Sequence, residues 1–465
     1  MADRPNLLVF LTDDHAQWAA RCYGNREIST PTMDYLAKSG VRLANAFTVT
    51  PVCSPARASF FTGRLPSQHG IHDWIHEPSE IGRRHPGIKD QVNIGMLLQA
   101  TGYQTAMIGK WHCGHSWEPH PGFDRWFSYG SFQYPHKGEI SFSDQGKIAA
   151  YNGYQSVAFT DKAIEYIRQR DKQRPFFLFV SFVNTHTPHT LQPERLVEPY
   201  RNATFSDIPL ERFAECHGKA SFAWSGDPQT MKESLAQYYA AVSFIDDQVG
   251  RILDELDGAD ELNNTLIVYT SDHGHMNGHH GLHTKGNATI PQNFLEESIR
   301  VPCLISWRDG LPAGLVCEAL ADQCDLYATL LDAAGAVPEE TLSKTINSPG
   351  ASYLSLLKGD RGTSWRDTIF GEYGNARMIR SATCKLIQRY PGPNGHYPDE
   401  LYDLIESPRE RTNCIADTRY QSEVVDLSNR LQNYFSKYEI PKHSGREIEK
   451  QPRCNSNAEP WVKTQ

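Results

Sequence analysis

Leu7-Leu-Val-Phe-Leu11 runs straight into Thr12-Asp-Asp-His15, and this junction decides the fold. Five apolar residues without a polar alternation predict a strand buried on both faces, the pattern of a parallel sheet and not of a sheet with one wet side. The same unit recurs outward along the chain. Residues 32–39 read as a helix, 94–101 as a helix before a strand at 105–108, 158–168 before a strand at 176–182, and 237–256 before a strand at 265–270. Strands separated by helices predict an α/β fold with a large mixed, mainly parallel sheet sandwiched by helices. The strand ends carry the unusual residues: Thr12-Asp-Asp-His15, Gly109-Lys-Trp-His112, Asn184-Thr-His186 and Ser271-Asp-His-Gly274. In open α/β sheets ligands bind beyond the carboxyl ends of strands, so four such clusters predict one site there.

Beyond about residue 345 the pattern changes. Short strand-like runs at 369–373, 378–379 and 385–388 predict a small antiparallel sheet, with a helix at 420–438 to pack on it. The division is therefore a catalytic domain over residues 1–345 and a smaller α+β domain over 346–465, whose end, 442–465, reads as an extended or frayed surface arm. A chain of 465 residues with 39% hydrophobic and 22% charged residues excludes a peptide, a disordered protein and a collagen-like repeat. Forty-six Lys+Arg against 55 Asp+Glu leave −9, which gives no reason to expect nucleic acid or an anionic membrane as partner. Ten cysteines without a C-x-x-C pair predict mostly free thiols. The start shows no secretory leader, so the chain as written reads as cytoplasmic, or as periplasmic or secreted if a signal was removed. The longest apolar run, 176–183, falls well short of the ~20 residues of a membrane helix.

The most specific signal is Cys53-Ser-Pro-Ala-Arg57, continued by Ala58-Ser-Phe-Phe-Thr-Gly-Arg64. A lone cysteine is usually a small buried hydrophobe. Here Pro51 and Pro55 flank it, Arg57 follows four residues on, and the segment turns helix-like, which places position 53 at a helix N-terminus where amide dipoles favour negative charge. Asp13 and Asp14 taken alone would be a cap and its neighbour. Set beside Asp272 and His273 after another strand, they become a divalent-metal site of carboxylates with one imidazole. Arg57, Lys110, His112, His186 and Lys285 make a third, basic cluster suited to holding an anion and moving a proton.

These motifs resemble the type I sulfatase family of the alkaline phosphatase superfamily, whose Cys-x-Pro-x-Arg signature with a following Thr-Gly-Arg is matched in full and whose closing segment is similar to Glu400-Leu-Tyr-Asp-Leu404. The resemblance implies an alkaline phosphatase-like sheet, and conversion of Cys53 by a formylglycine-generating maturation enzyme to an aldehyde whose hydrate is the nucleophile. It implies metal ligation by Asp13, Asp14, Asp272, His273 and the modified Cys53, with Ca²⁺ as the ion. Many sulfatases have Asn where His273 stands, and an imidazole also suits Mn²⁺. It further implies that Lys110 contacts the hydrate and sulfate, that His112 is the base that restores the aldehyde, and that His186 and Lys285 assist the departing alcohol.

The expected activity is hydrolysis of a sulfate ester with release of inorganic sulfate. The segment Gly70-Ile-His-Asp-Trp-Ile-His76 and the stretch 112–120 place aromatic and imidazole rings near the motifs. Rings of this kind stack on sugars, which favours a carbohydrate sulfate, although any one of them serves equally as loop packing. Aryl or choline sulfates and phosphate or phosphonate monoesters are the alternative substrates. A non-catalytic binder of sulfated ligands is the alternative of another class.

Overall fold

A computed structural model describes the chain apart from residues 1–3, 130–135, 210, 337–340, 342–344, 361, 363, 457–458 and 462–465. The strands are β1 (Asn6–Thr12), β2 (Val41–Phe47), β3 (Gln104–Lys110), β4 (Arg125–Tyr129), β5 (Lys137–Asp144), β6 (Lys147–Tyr154), β7 (Phe176–Ser181) and β8 (Lys219–Ala220) in the first half. They continue as β9 (Thr265–Ser271), β10 (Thr289–Ile290), β11 (Cys303–Ser306), β12 (Leu315–Asp322), β13 (Ile369–Tyr373), β14 (Ala376–Arg380), β15 (Cys384–Arg389) and β16 (Glu400–Asp403). Ten of them form one sheet in the order β12-β2-β11-β9-β1-β7-β3-β4-β5-β6, and β13 to β16 form a separate four-stranded sheet.

The centre of the large sheet is parallel. β1 pairs with β7 and β9, and β3 with β7 and β4, all in the same direction. Antiparallel partners lie towards the edges, where β11 joins β9 and β2 and the hairpin β5–β6 closes the far side. Every residue of β1 is buried. Because successive side chains leave a strand on opposite faces, Leu7, Val9 and Leu11 enter one core while Leu8 and Phe10 enter the other. The first core holds the helices Cys53–Thr62 and Gln323–Ala333. The second holds Pro31–Ser39, Gln155–Gln169 and Pro228–Gly258. Two apolar faces, each needing a cover of helices, are what the unalternating strand runs predicted.

The C-terminal sheet is a meander, β13-β14-β15-β16, with every pairing antiparallel. The helix Gln421–Tyr438 buries Leu427, Leu431 and Phe435 against it. The tail departs from the expected surface arm. Ile448, Cys454, Asn455, Glu459 and Trp461 are all buried, and the Trp461 ring meets Tyr373 edge-on at 5.6 Å. It lies over Gly374, where an added Cβ would meet the Trp461 ring at 2.1 Å, so the glycine is what admits the indole. The last four residues of the arm fall outside the described chain. All ten cysteines are free thiols. Among the described residues, no helix is long and apolar enough to cross a membrane.

Candidate active site

Register builds the site. Thr12 of β1 lies opposite Ser271 of β9, so Asp13-Asp14 and Asp272-His273 leave the sheet side by side. On the other flank Leu11 lies opposite Ser181 of β7, and Ser181 opposite Gly109 of β3, which brings Lys110 to the same edge. Gly109 has φ +111°, and a Cβ there would meet the Ser181 carbonyl at 2.0 Å, so β3 ends against β7 this closely only with glycine. Asp14 has φ +60°, a left-handed conformation that Asp tolerates better than most residues.

The fifth contributor comes from the helix Cys53–Thr62, which begins at Cys53 after extended Val52 and keeps Pro55 in its first turn, where the missing N–H costs no helical bond. Phe60 and Phe61 pin this helix to the sheet through Phe179, with ring centroids at 5.1 and 4.7 Å. Cys53, only 2% exposed, then meets three groups. Its thiol donates to Asp13 Oδ1 at 3.4 Å, receives Lys285 Nζ at 3.1 Å and faces His273 Nε2 at 3.3 Å. Burial first, then the Asp13 carboxylate, pushes the thiol up to about 12, so an unmodified Cys53 is a protonated and weakly nucleophilic group.

The cations are interleaved with the acids. Arg57 is fully buried and donates through Nε to Asp272 Oδ2 at 2.8 Å and through Nη1 to Lys110 O at 2.9 Å and Ser181 Oγ at 2.7 Å. Its guanidinium thus braces the acids and the end of β3 from behind. Lys110 is ion-paired with Asp13, and Lys285 Nζ sits 2.5 Å from Asp14 Oδ1. Burial alone would raise Asp13, but Lys110 and Arg57 outweigh it and hold that carboxyl well below its usual range. Burial raises Asp14 to about 6 against the pull of Lys285, and burial reinforced by Asp13 raises Asp272 to about 7.

Three histidines were expected here, and each has its own setting. His273 Nδ1 lies 2.9 Å from Gly274 O, which assigns its proton to Nδ1 and leaves the Nε2 lone pair facing Cys53. His186 Nδ1 lies 2.6 Å from Thr187 O, so Nε2, 3.9 Å from Asp14 Oδ2, is likewise the bare nitrogen. His112, at φ +58°, places Nε2 2.9 Å from Ile75 O. The imidazole in contact with Sγ is therefore that of His273. Burial and the neighbouring lysines hold all three below the usual histidine range, so they are neutral at pH 7.

The acids and His273 fit a divalent cation. Asp13, Cys53, Asp272 and His273 have ligand atoms within 4.8 Å of one another, as do Asp13, Asp14, Cys53 and His186. Asp14 Oδ2 is buried with no hydrogen-bond partner among the described residues, an orphan acceptor that a cation would satisfy. The backbone bond at His273 Nδ1 is the outer contact a metal-bound imidazole characteristically makes.

A cavity of about 460 Å³ opens onto this cluster, lined by Asp14, Cys53, His186 and Lys285. Its remaining wall includes Asp73 and Trp74 from the ring-rich segment read in the sequence, and also Phe222 and Pro460, which no motif marked. Other supports left no local signal. Thr185 bonds the Asp13 carbonyl through Oγ1, and Gln323 Nε2 donates to the Asp272 carbonyl at 2.6 Å.

Comparison with known proteins agrees with this geometry. A family model described as Sulfatase matches residues 5–336, and one described as N-sulphoglucosamine sulphohydrolase, C-terminal, matches 278–437. An N-acetylglucosamine-6-O-sulfatase of Bacteroides thetaiotaomicron is 28% identical over 94% of this chain and 87% of its own length. An arylsulfatase of Clostridium perfringens is 26% identical over 96% and 95%. A protein solved in complex with its substrate D-glucosamine-2-N,6-O-disulfate superposes with a TM-score of 0.80 at 26% identity, covering 94% of this chain and 98% of the other. A phosphonate monoester hydrolase of Agrobacterium radiobacter, at 20% identity and a TM-score of 0.73 over 94% and 97%, shares the fold. A family model spanning most of the chain, set on a sheet whose strand ends converge on Cys53, places this protein in the sulfatase family as a sulfuric ester hydrolase.

Proposed function

We propose that this sulfatase acts on a saccharide sulfate and that Asp13, Asp14, Cys53, Arg57, Lys110, His112, His186, Asp272, His273 and Lys285 form its working site. The observation that carries the reading is the setting of Cys53: a thiol too basic to attack, at a helix N-terminus, touching a carboxylate, an imidazole and an ammonium at the floor of a ligand-sized cavity. Formylglycine at position 53 would supply a geminal diol, one hydroxyl to attack sulfur and a second through which sulfate is later expelled. At 2% exposure the side chain is closed to another enzyme in the folded state, so the maturation enzyme acts before this helix docks.

Asp13, Asp14, Asp272 and His273 would hold the metal, with Ca²⁺ favoured by the three carboxylates and Mn²⁺ admitted by the imidazole. A bound divalent ion supplies charge that polarises a sulfate oxygen and acidifies a hydroxyl. Lys285, on the cavity wall and 3.1 Å from Sγ, holds an oxygen of the incoming sulfate, while Lys110 and Arg57 keep Asp13 ionised behind it and Arg57 braces Asp272. His186 starts neutral with Nε2 bare. An anionic sulfate beside it favours its imidazolium, which then gives a proton to the leaving alcohol. His273 would be committed to the metal through Nε2, so His112, whose Nε2–H is held by Ile75 O, is the imidazole left to take the diol proton.

The saccharide preference rests on the relatives that act on sulfated hexosamines and on the aromatic wall of the cavity. Peptide mass spectrometry at residue 53, with sulfate release from sulfated hexosamines measured beside matched phosphate monoesters, tests the reading. Formylglycine with preferential sulfate release is expected. Faster turnover of the phosphate esters, or a thiol persisting in active enzyme, overturns it.

A further inference from the structure

Beyond the residues that touch Cys53, the same cavity is lined by Asp73, Trp74, Phe222 and Pro460, and the first two are fixed by contacts with no part in the cluster of acids and cations. Asp73 Oδ1 accepts from Trp74 N at 2.9 Å and Tyr373 OH at 3.0 Å, and Oδ2 accepts from Asn455 Nδ2 at 3.3 Å. A carboxylate offers about four acceptor sites, so Oδ2 keeps one for a ligand. Trp74 is half-buried and Phe222 is 47% exposed, so the cavity offers aromatic surface beside an oriented carboxylate. A pyranose matches that pairing, since its C–H faces lie on aromatic rings while its hydroxyl or amine groups donate to a fixed acceptor.

The C-terminal tail holds the wall in place. Asn455 Nδ2 also donates to Trp74 O at 3.1 Å, and His76 N donates to Cys454 O at 3.0 Å, so the tail clips the loop that carries Asp73 and Trp74 at both ends. Pro460 is itself part of the lining, and Trp461 anchors that end on Tyr373.

We propose that Asp73 and Trp74 recognise the sugar that carries the sulfate, with Asp73 Oδ2 accepting a hydrogen bond from a ring hydroxyl or ammonium, and that Asn455 is the positioning residue by which the tail orients them. The inference rests on the saccharide-sulfatase reading above. A carboxylate at this place selects for a donor and against a second sulfate on the group that faces it.

The test compares converted enzyme on glucosamine 6-sulfate and on nitrophenyl sulfate, which shares only the sulfate. Asp73→Asn and Trp74→Ala are each expected to lower the saccharide-to-aryl ratio of kcat/KM by roughly tenfold or more, the scale of one charge-assisted hydrogen bond or one stacked ring. Asn455→Ala should move the ratio the same way, through the saccharide KM and not through kcat. A parallel fall on both substrates, or an unmoved ratio, overturns the assignment. If wild-type enzyme releases sulfate from neither compound, the saccharide-sulfatase reading has failed, and calorimetry on the unconverted Cys53 protein then decides the wall separately. A preference for glucosamine 6-sulfate over inorganic sulfate that disappears in Asp73→Asn supports the subsite, and a preference that survives the change sinks it.

Discussion

Removing and restoring the metal at controlled pH probes the acid cluster directly. Without a cation, Asp13 is held ionised by its basic neighbours, Asp14 is raised to about 6 and Asp272 to about 7. A divalent ion needs all three carboxylates charged, so its apparent affinity follows the fraction of molecules in which Asp14 and Asp272 have both lost their protons. With steps at about 7 and about 6, that fraction is nearly complete at about pH 8 and below roughly one in a hundred at about pH 5.5, so Ca²⁺ affinity falls roughly 100-fold over this interval. Binding should expel close to two protons at about pH 5.5 and almost none at about pH 8. Both folded-state values lie above the ordinary 3.8, so protonation favours the metal-free fold and that contribution is lost as pH rises through 6 to 7. Added Ca²⁺ should therefore raise Tm more at the alkaline end. Calorimetric titration in two buffers of different ionisation heat measures affinity and proton release together. Equal affinity at both pH values, or no proton release at the acid one, would show that these carboxylates do not bind the ion.

Three further perturbations separate the parts of the site. Arg57→Ala leaves Asp272 without its closest cation and should cost about 3–5 kcal/mol. In a chain of 465 residues that lowers Tm by about 3–5 °C, and a parent-like melting curve would contradict the bracing role. Cys53→Ala should leave Tm nearly unchanged and reduce sulfate release below detection, whereas retained turnover would move the nucleophile elsewhere. Trp461→Ala removes a buried indole from over Gly374 and should cost about 3–5 kcal/mol, so an unaltered denaturant midpoint would mean that the tail is not packed in solution.

The central strands were legible because burial on both faces of a sheet leaves a short apolar run without polar alternation. The ends of β1, β3, β7 and β9 each fall within two residues of the expected runs. The hairpin β5–β6 was not, since its exposed and polar positions are set by pairing and not by burial, as Ile148 at 76% exposure shows. The acids were legible as pairs after strands, yet only register revealed that Asp13 and Asp272 stand side by side. Sequence order gave no means of choosing among His112, His186 and His273 for contact with position 53. That choice depends on which ring nitrogen a backbone carbonyl occupies. The tail was misread because its buried residues are few and without a period, Ile448 and Cys454 standing singly among polar ones and Trp461 far beyond them. Their partners lie far back in the chain, at Tyr373 for Trp461 and His76 for Cys454.

The net charge of −9 also looks different once the site is built. Around Cys53 three carboxylates, Asp13, Asp14 and Asp272, alternate with three cations, Arg57, Lys110 and Lys285, and none of the six is more than 5% exposed. Alone in such burial any one of them would be expelled or neutralised, because the lost hydration exceeds what a single neighbour returns. Interleaved, they nearly cancel, and the fold tolerates a polar core at the edge of its sheet. The near-cancellation sets what the site binds. Each added charge acts at short range in a medium of low dielectric, while the surface excess is screened within about 10 Å of salt solution. A divalent cation accordingly turns a neutral nest into a positive one, and an anionic ester enters a protein whose total charge opposes it because the local sum, and not the total, lies within reach of the sulfate.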